Sequence, residues 1–194
     1  MTGMLALKSW LERNHPFLTA SDIEFFKPFL AEKFLRKEEM LLVAGSCCRE
    51  LSFIVSGVFR LYCPVGGKEV NLHFFTENEF VADYGSFLGM VPARYSIQSL
   101  EHAHVVTISR EKLFEAYDRS KNWERLGRLM AEQFACMFTY RLEKFLFMDG
   151  MERYRALMEE NPRLFDRVPL YHLASYLGME RESLSRIRQR LCKG

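Results

Sequence analysis

Apolar residues follow two rhythms along this chain, and each change of rhythm marks a change of structure. Over residues 5–12 and 21–30 they recur at helical spacing, and the second stretch opens on Ser21 with Glu24 three residues later, the pattern of a helix cap. From Phe34 onward the chain breaks into short runs rich in Val, Ile, Phe and Tyr, at 40–44, 51–55, 58–62, 70–75, 96–100 and 105–108. Ala44-Gly45-Ser46, Ser56-Gly57 and Pro64-Val65-Gly66-Gly67 punctuate them with turn residues. Short strands at this spacing predict an antiparallel barrel or jelly roll.

The helical rhythm returns at 109–117 and holds from 123 to about 148. In that long helix Leu126, Met130, Gln133, Met137 and Tyr140 fall at alternating spacings of 4 and 3, the repeat of a two-helix seam. A second stripe, Phe134, Phe138, Leu142 and Phe145, lies to one side. A helix with two apolar faces needs two partners. The barrel is assigned to the second stripe and the same helix of a second subunit to the first, giving a two-fold dimer; a wholly internal core helix is the other way to cover both. Phe147-Met148-Asp149-Gly150 interrupts the pattern as a hinge, a helix resumes over 151–160, and Asn161-Pro162 ends it.

The segment 168–191, VPLYHLASYLGMERESLSRIRQRL, reads as two short helices joined by a tight turn. Leu170, Leu173, Ala174 and Leu177 share one helical face, and Gly178 stands where a helix ends in a left-handed residue. A second helix from about Arg181 places Leu184, Ile187 and Leu191 at i, i+3 and i+7, with Ala174 small enough to let the two helices cross as a helix-turn-helix does. Opposite that stripe point Glu182, Ser185, Arg186 and Gln189, flanked by Arg181 and Arg190. Residues 181–194 hold five basic side chains and one acid, a formal +4. Duplex DNA is a polyanion whose major groove admits one helix, so such a face suits both phosphate attraction and base reading. An amphipathic terminal helix with a solvated basic face is the plainer reading of the same residues.

Charge distribution favours the first. The net charge is only +2, but residues 151–194 hold nine Arg and Lys against six Asp and Glu, whereas residues 1–150 hold eighteen against nineteen. A basic excess confined to one end is what a separate nucleic-acid module produces. No apolar run approaches the ~20 residues that span a bilayer, and the N-terminal apolar stretch is too short for a signal peptide, so a cytoplasmic protein without membrane contact is expected. Cys47, Cys48, Cys63, Cys136 and Cys192 form no CxxC pair, suggest neither a disulfide framework nor a zinc site, and read as buried small residues.

The segment LASYLGMERESLSRIRQRL resembles the helix-turn-helix of the CRP/FNR family of transcription regulators, in which a glycine turn precedes a polar residue, Arg-Glu-Ser/Thr and a further Arg. FIVSGVFRLYCP, GGKEVNLHFF and NEF are similar to the same family's cyclic-nucleotide-binding β-roll, so the resemblance runs from about Ile23 to Leu191. It implies an α+β fold in three parts: a jelly-roll sensor domain with N-terminal helices over 1–121, a dimerisation helix over 122–148, and a small DNA-binding domain over 149–194. It also implies a homodimeric, sequence-specific regulator rather than an enzyme. Such a dimer binds double-stranded DNA at an inverted repeat, has RNA polymerase as a further partner, and is controlled by a small effector in the roll. Arg181, Glu182 and Arg186 occupy the family's base-contacting positions; Ser185 and Gln189 add contacts, and Arg188, Arg190 and Lys193 face phosphate. The family's wing hairpin is expected to be absent or very short, since the sequence stops soon after the second helix.

In nucleotide-binding members of that family a Gly-Glu-Leu run binds the ribose, and an Arg followed by Ser or Thr neutralises the cyclic phosphate. A buried phosphate wants a guanidinium fork, and a ribose hydroxyl wants a carboxylate acceptor. Here Asp83 follows Ala82, and Arg94 precedes Tyr95 and Ser96, which makes Asp83, Arg94, Tyr95 and Ser96 the candidate effector residues and a cyclic nucleotide the candidate ligand. The motif is degraded: Asp is shorter than Glu, Ala82 adds a methyl, and Pro92 removes an amide donor. The plainer reading makes Asp83 a helix-capping carboxylate and Arg94 a loop residue. Two rivals stay open. His73, His102 and His104 could serve a cupin-type metal enzyme, or His73 with a cysteine a haem, although no metal site is the expectation; or the roll binds ligand with no DNA role.

Overall fold

The structure, a computed structural model, describes residues 2–191. It is an α+β fold whose strands form two four-stranded sheets. The strands are β1 (Leu30–Leu35), β2 (Met40–Leu42), β3 (Glu50–Ser56), β4 (Phe59–Val65), β5 (Lys68–Phe75), β6 (Phe80–Val81), β7 (Ser96–Ser99) and β8 (Ala103–Ser109). One sheet has the order β1-β8-β3-β6 and the other β2-β7-β4-β5. β8 is antiparallel to both β1 and β3, from Leu30 opposite Ile108 to Leu35 opposite Ala103 on one side and from Glu50 opposite Ser109 on the other. Gly57, at φ +107°, turns β3 into β4 where an added Cβ would lie 2.5 Å from that of Ala103. No larger residue fits that turn.

Two strands escape the sequence pattern. The helix expected over 21–30 is α2 (Ala20–Phe26), followed by a 3₁₀ turn at Lys27–Phe29, and Leu30 already belongs to β1. Pro28 removes an amide donor and closes the α-helix early. The cap is also displaced by two residues: Thr19 Oγ1 accepts from the Asp22 amide at 3.2 Å while Asp22 Oδ2 accepts from the Thr19 amide at 2.9 Å. Asp22 further accepts from Ser120 Oγ at 2.7 Å and Asn122 Nδ2 at 2.9 Å. Burial works to raise the Asp22 pKa, but these hydrogen bonds win and hold it at about 2. The second missed strand, β6, is only two residues long.

The helices are α1 (Gly3–Asn14), α2, α3 (Tyr84–Gly89), α4 (Arg110–Arg119), α5 (Lys121–Phe147), α6 (Gly150–Glu160), α7 (Leu164–Arg167), α8 (Leu170–Tyr176) and α9 (Arg181–Leu191). By internal contacts the chain forms two compact units: residues up to Leu61 with Phe74–Glu132, and Tyr62–His73 with the chain from Gln133 onward. In the first unit, Leu51, Phe53, Val106 and Ile108 on one face of β3 and β8 meet Leu7 and Leu11 of α1, Ile23 and Phe26 of α2, Leu113 of α4, and Trp123 and Leu126 of α5. Trp123 stacks on Phe26 at 3.9 Å, and its indole donates to Asp22 O at 3.1 Å. The alternate residues Ile54 and Val105, both fully buried, face the interior of the roll.

The long helix therefore uses its faces differently from the expectation. Leu126 of the expected partner-facing seam lies in the chain's own core with Met130 packed beside it, while Phe138, Leu142 and Phe145, expected against the barrel, are exposed. The expected hinge is a capped junction: α5 ends at Phe147, and Asp149 and Glu152 form a reciprocal capping box that starts α6. Among the described cysteines only Cys48 is buried; Cys47 and Cys63 are half-buried and Cys136 is exposed, against the expectation of burial for all. Cys192 lies outside the described residues. No helix among the described residues is long and apolar enough to cross a membrane.

Candidate nucleic-acid interface and effector site

The helix-turn-helix forms from the residues that predict it. α8 is short because Leu177 and Gly178 leave the helix, Gly178 at φ +67°, with the Gly178 amide donating to Ser175 O at 3.1 Å and the Met179 amide to Ala174 O at 3.0 Å. Glycine is required there twice over, since an added Cβ would also meet Phe145 Cε1 at 2.6 Å. Leu173, Ala174 and Leu177 of α8 are buried, Leu184 of α9 has no exposed surface, and the two helices pack together. At about 100° per residue, Arg181, Glu182, Ser185, Arg186 and Gln189 share an arc of about 140° centred opposite Leu184 and Ile187. Arg181, Glu182, Arg186, Arg188, Gln189 and Arg190 are exposed and Ser185 half-buried. Arg186 Nη2 donates to Ser183 Oγ at 3.3 Å, a weak tether that leaves most of the fork open. Lys193, expected at phosphate, lies outside the described residues.

Two arginines that the sequence reading passed over hold the C-terminal end of α8. Arg141 of α5 donates from Nη2 to Tyr176 O at 2.9 Å and stacks on the Tyr176 ring at 3.7 Å. Arg153 of α6 donates from Nε to Leu177 O at 2.9 Å and from Nη1 to Met148 O at 2.6 Å. Carbonyls at a helix end lack partners, and a guanidinium supplies donors and a favourable charge together. The one visible signal was an arginine set between Phe138, Leu142 and Phe145 in an apolar stripe.

The four candidate effector residues lie in one stretch, but their polar groups are turned to other work. Asp83 caps α3: its Oδ1 accepts from the Ser86 amide at 3.1 Å, and its Oδ2 from the amides of Arg94 at 3.0 Å and Tyr95 at 3.3 Å. The carboxylate is 5% exposed and already has the donors a ribose would offer. Ser96 is buried, and its hydroxyl accepts from the Ala44 amide at 3.1 Å. Arg94 is exposed, its guanidinium 5.9 Å from the Tyr95 ring centre. None of the four lines the chamber of about 420 Å³ in the first unit, whose walls include Met40, Leu42, Cys48, Ser52, Val81 and Ile97. That volume suits a small ligand, pockets for which run from roughly 300 to 1,000 Å³. Burial pushes the Cys48 thiol above its ordinary pKa, and its Sγ donates to Glu50 O at 3.4 Å.

The histidines do not assemble a metal site. His104 Nε2 bonds Glu32 Oε2 at 2.8 Å and its ring stacks on Phe34 at 4.2 Å, in the first unit. His73 belongs to the second unit, where burial, helped by the Arg141 charge, lowers its pKa to about 3, and its ring lies 6.5 Å from that of Phe138. Among the described residues no three His, Cys, Asp or Glu side chains gather as metal ligands.

A β-roll, a long helix and a helix-turn-helix follow one another along the chain, a fold it shares with solved structures of regulators, a putative CRP/FNR-family member among them. Residues 32–120 match the family described as cyclic nucleotide-binding domain. Among solved structures, the chain is similar to the c-di-GMP responsive global regulator CLP of Xanthomonas campestris, at 19% identity over 90% of this chain and 92% of that one with a TM-score of 0.71. FixK2 from Bradyrhizobium japonicum matches at 19% identity over 84% and 85% with a TM-score of 0.74. A putative CRP/FNR-family regulator from Eubacterium rectale matches at 15% over 92% and 86% with a TM-score of 0.71. At these identities the likeness is one of fold. A search of curated protein sequences gives no significant match.

Proposed function

We propose that the protein is a sequence-specific DNA-binding regulator that acts as a homodimer on an inverted repeat. The observation that carries this reading is the face of α9: Arg181, Glu182, Arg186 and Gln189 are exposed on one arc, while on the opposite arc Leu184 is fully buried and Ile187 half-buried. Arg181, Glu182 and Arg186 are the base-reading residues, Ser185 and Gln189 assist, and Arg188 and Arg190 meet phosphate. The exposed Phe138, Tyr140, Leu142, Phe145, Leu146 and Phe147 of α5 support dimerisation, since so many large apolar groups on one helix call for a cover. RNA polymerase is the further partner such a regulator engages.

The effector of this reading is a small molecule other than a cyclic nucleotide. With Asp83 engaged by backbone amides and Arg94 exposed, neither candidate residue offers a ribose cyclic phosphate a free carboxylate or a buried cation, and the buried Arg60 of β4 already donates from Nε to Gln98 Oε1 at 2.8 Å. The test is selection of a randomised duplex library by the purified protein with and without cyclic AMP, at a stated salt concentration. An inverted repeat recovered equally in both arms is the expected result. A repeat recovered only with the nucleotide would restore Asp83 and Arg94 as its site, and no enrichment in either arm would leave a ligand-binding module without a DNA role.

A further inference from the structure

Among the described residues β5 is an edge strand, with β4 on one side and no strand on the other. Every second residue of such a strand turns an unpaired amide and carbonyl outward, and an edge left so is a place where something docks. In the second unit the docking element is the helix-turn-helix. Ser175 of α8 stands where a neighbouring strand would: its hydroxyl accepts from the Asn71 amide at 3.0 Å and donates to Glu69 O at 2.9 Å. Residues 69 and 71 are two apart and share the outward edge, so a single hydroxyl closes the pair of groups that a strand partner would have closed.

The surroundings complete the attachment. Asn71 O accepts from Arg141 Nη2 at 3.4 Å, the same group that caps Tyr176 O. The Asn71 side chain, 1% exposed, reaches with Nδ2 to His172 Nδ1 at 3.3 Å and His172 O at 3.4 Å. At the hairpin turn, Lys68 Nζ pairs with Glu180 Oε1 at 2.8 Å, an exposed contact of little energetic weight. Polar groups with fixed geometry specify one register where apolar packing tolerates several. α8 can therefore sit on β5 in one position, and the packing of α8 on α9 carries that position to α9.

We infer that Ser175 and Asn71 are positioning residues for DNA reading: the β4–β5 hairpin is a third element of the DNA-binding module, and the Ser175 hydroxyl sets where the α9 face is presented. Neither residue belongs to that face, Ser175 preceding Arg181 by six positions on a different helix. The inference rests on the DNA-binding reading above.

The full-length wild type is compared with Ser175→Ala and Ser175→Thr on the duplex that the wild type selects, at several salt concentrations, with amide hydrogen exchange of the free proteins alongside. Ser175→Ala is expected to bind about tenfold more weakly, because the amide of the buried Asn71 loses its partner and the tie to Glu69 O goes with it. Its slope of log Kd against log salt is expected to be unchanged, because no phosphate contact is lost. Faster exchange at Asn71 and along α9 is expected with it, and Ser175→Thr, which keeps the hydroxyl, restores both. Wild-type affinity in Ser175→Ala overturns the positioning role, as does an altered salt slope, which would put Ser175 on the DNA itself. A wild type that selects no duplex removes the DNA reading, and that failure shows in the unmutated protein alone.

Discussion

Helix α9 and the Asp83–Ser96 segment are both polar stretches whose residue types suggest ligand contact, and the fold treats them in opposite ways. On α9 the charged groups are exposed and only lightly tethered, with Arg186 held by one long bond to Ser183. In the other stretch the carboxylate of Asp83 is closed over by the amides of Ser86, Arg94 and Tyr95. A regular helix satisfies its own backbone and leaves its side chains free, whereas an irregular loop must find partners for its amides and recruits the nearest acceptor. Side-chain availability thus follows from what the local backbone already satisfies.

The largest effect should come from removing that acceptor. Asp83→Ala loses a helix cap and two further amide partners in a buried place, and should cost about 3 kcal/mol of stability in a denaturant titration while leaving the α9 face unchanged. Unchanged stability with a lost nucleotide response would break the contrast. Arg186→Ala should do the reverse, costing ~1 to 3 kcal/mol of specific DNA affinity in a gel-shift titration and almost nothing in stability. Equal affinity would remove Arg186 from the reading face.

Acid should weaken the fold through His73. His73 is neutral when folded down to a pKa of about 3 but titrates near 6.5 when unfolded. Between those values the unfolded chain binds the extra proton, so its contribution to stability is complete above about pH 6.5 and is lost as pH falls toward 3. The slope approaches about 1.4 kcal/mol per pH unit, and His73→Phe should flatten it in urea titrations between pH 4 and 6.5. A slope unchanged in the variant would place the acid sensitivity elsewhere. The smallest effect is expected at the hairpin turn, where Lys68→Ala breaks an exposed ion pair and should leave the unfolding midpoint within error.

Much of this was legible in the residues because it is local. Apolar spacing located the long helix and the α8–α9 pair, and Gly178 marked the turn, since each depends on neighbours within about one or two helical turns. Short-range competition blurred the rest: Thr19 displaced Ser21 as the cap because Asp22 could answer it, and Pro28 ended α2 before the apolar pattern did. β6, two residues long, is too short to show a period.

By itself the sequence determined the order of most elements, though not β1 or β6, together with the turn at Gly178 and the polar and apolar faces of α9, all consequences of backbone propensity and side-chain spacing. Only the tertiary structure decided that Leu126 packs in its own core, that Asp83 serves three amides, that Arg141 and Arg153 hold the end of α8, and that Ser175 closes the edge of β5. Those outcomes join residues as far apart as 106 positions. A hydrogen bond at that separation depends on where two surfaces meet, which no local pattern encodes.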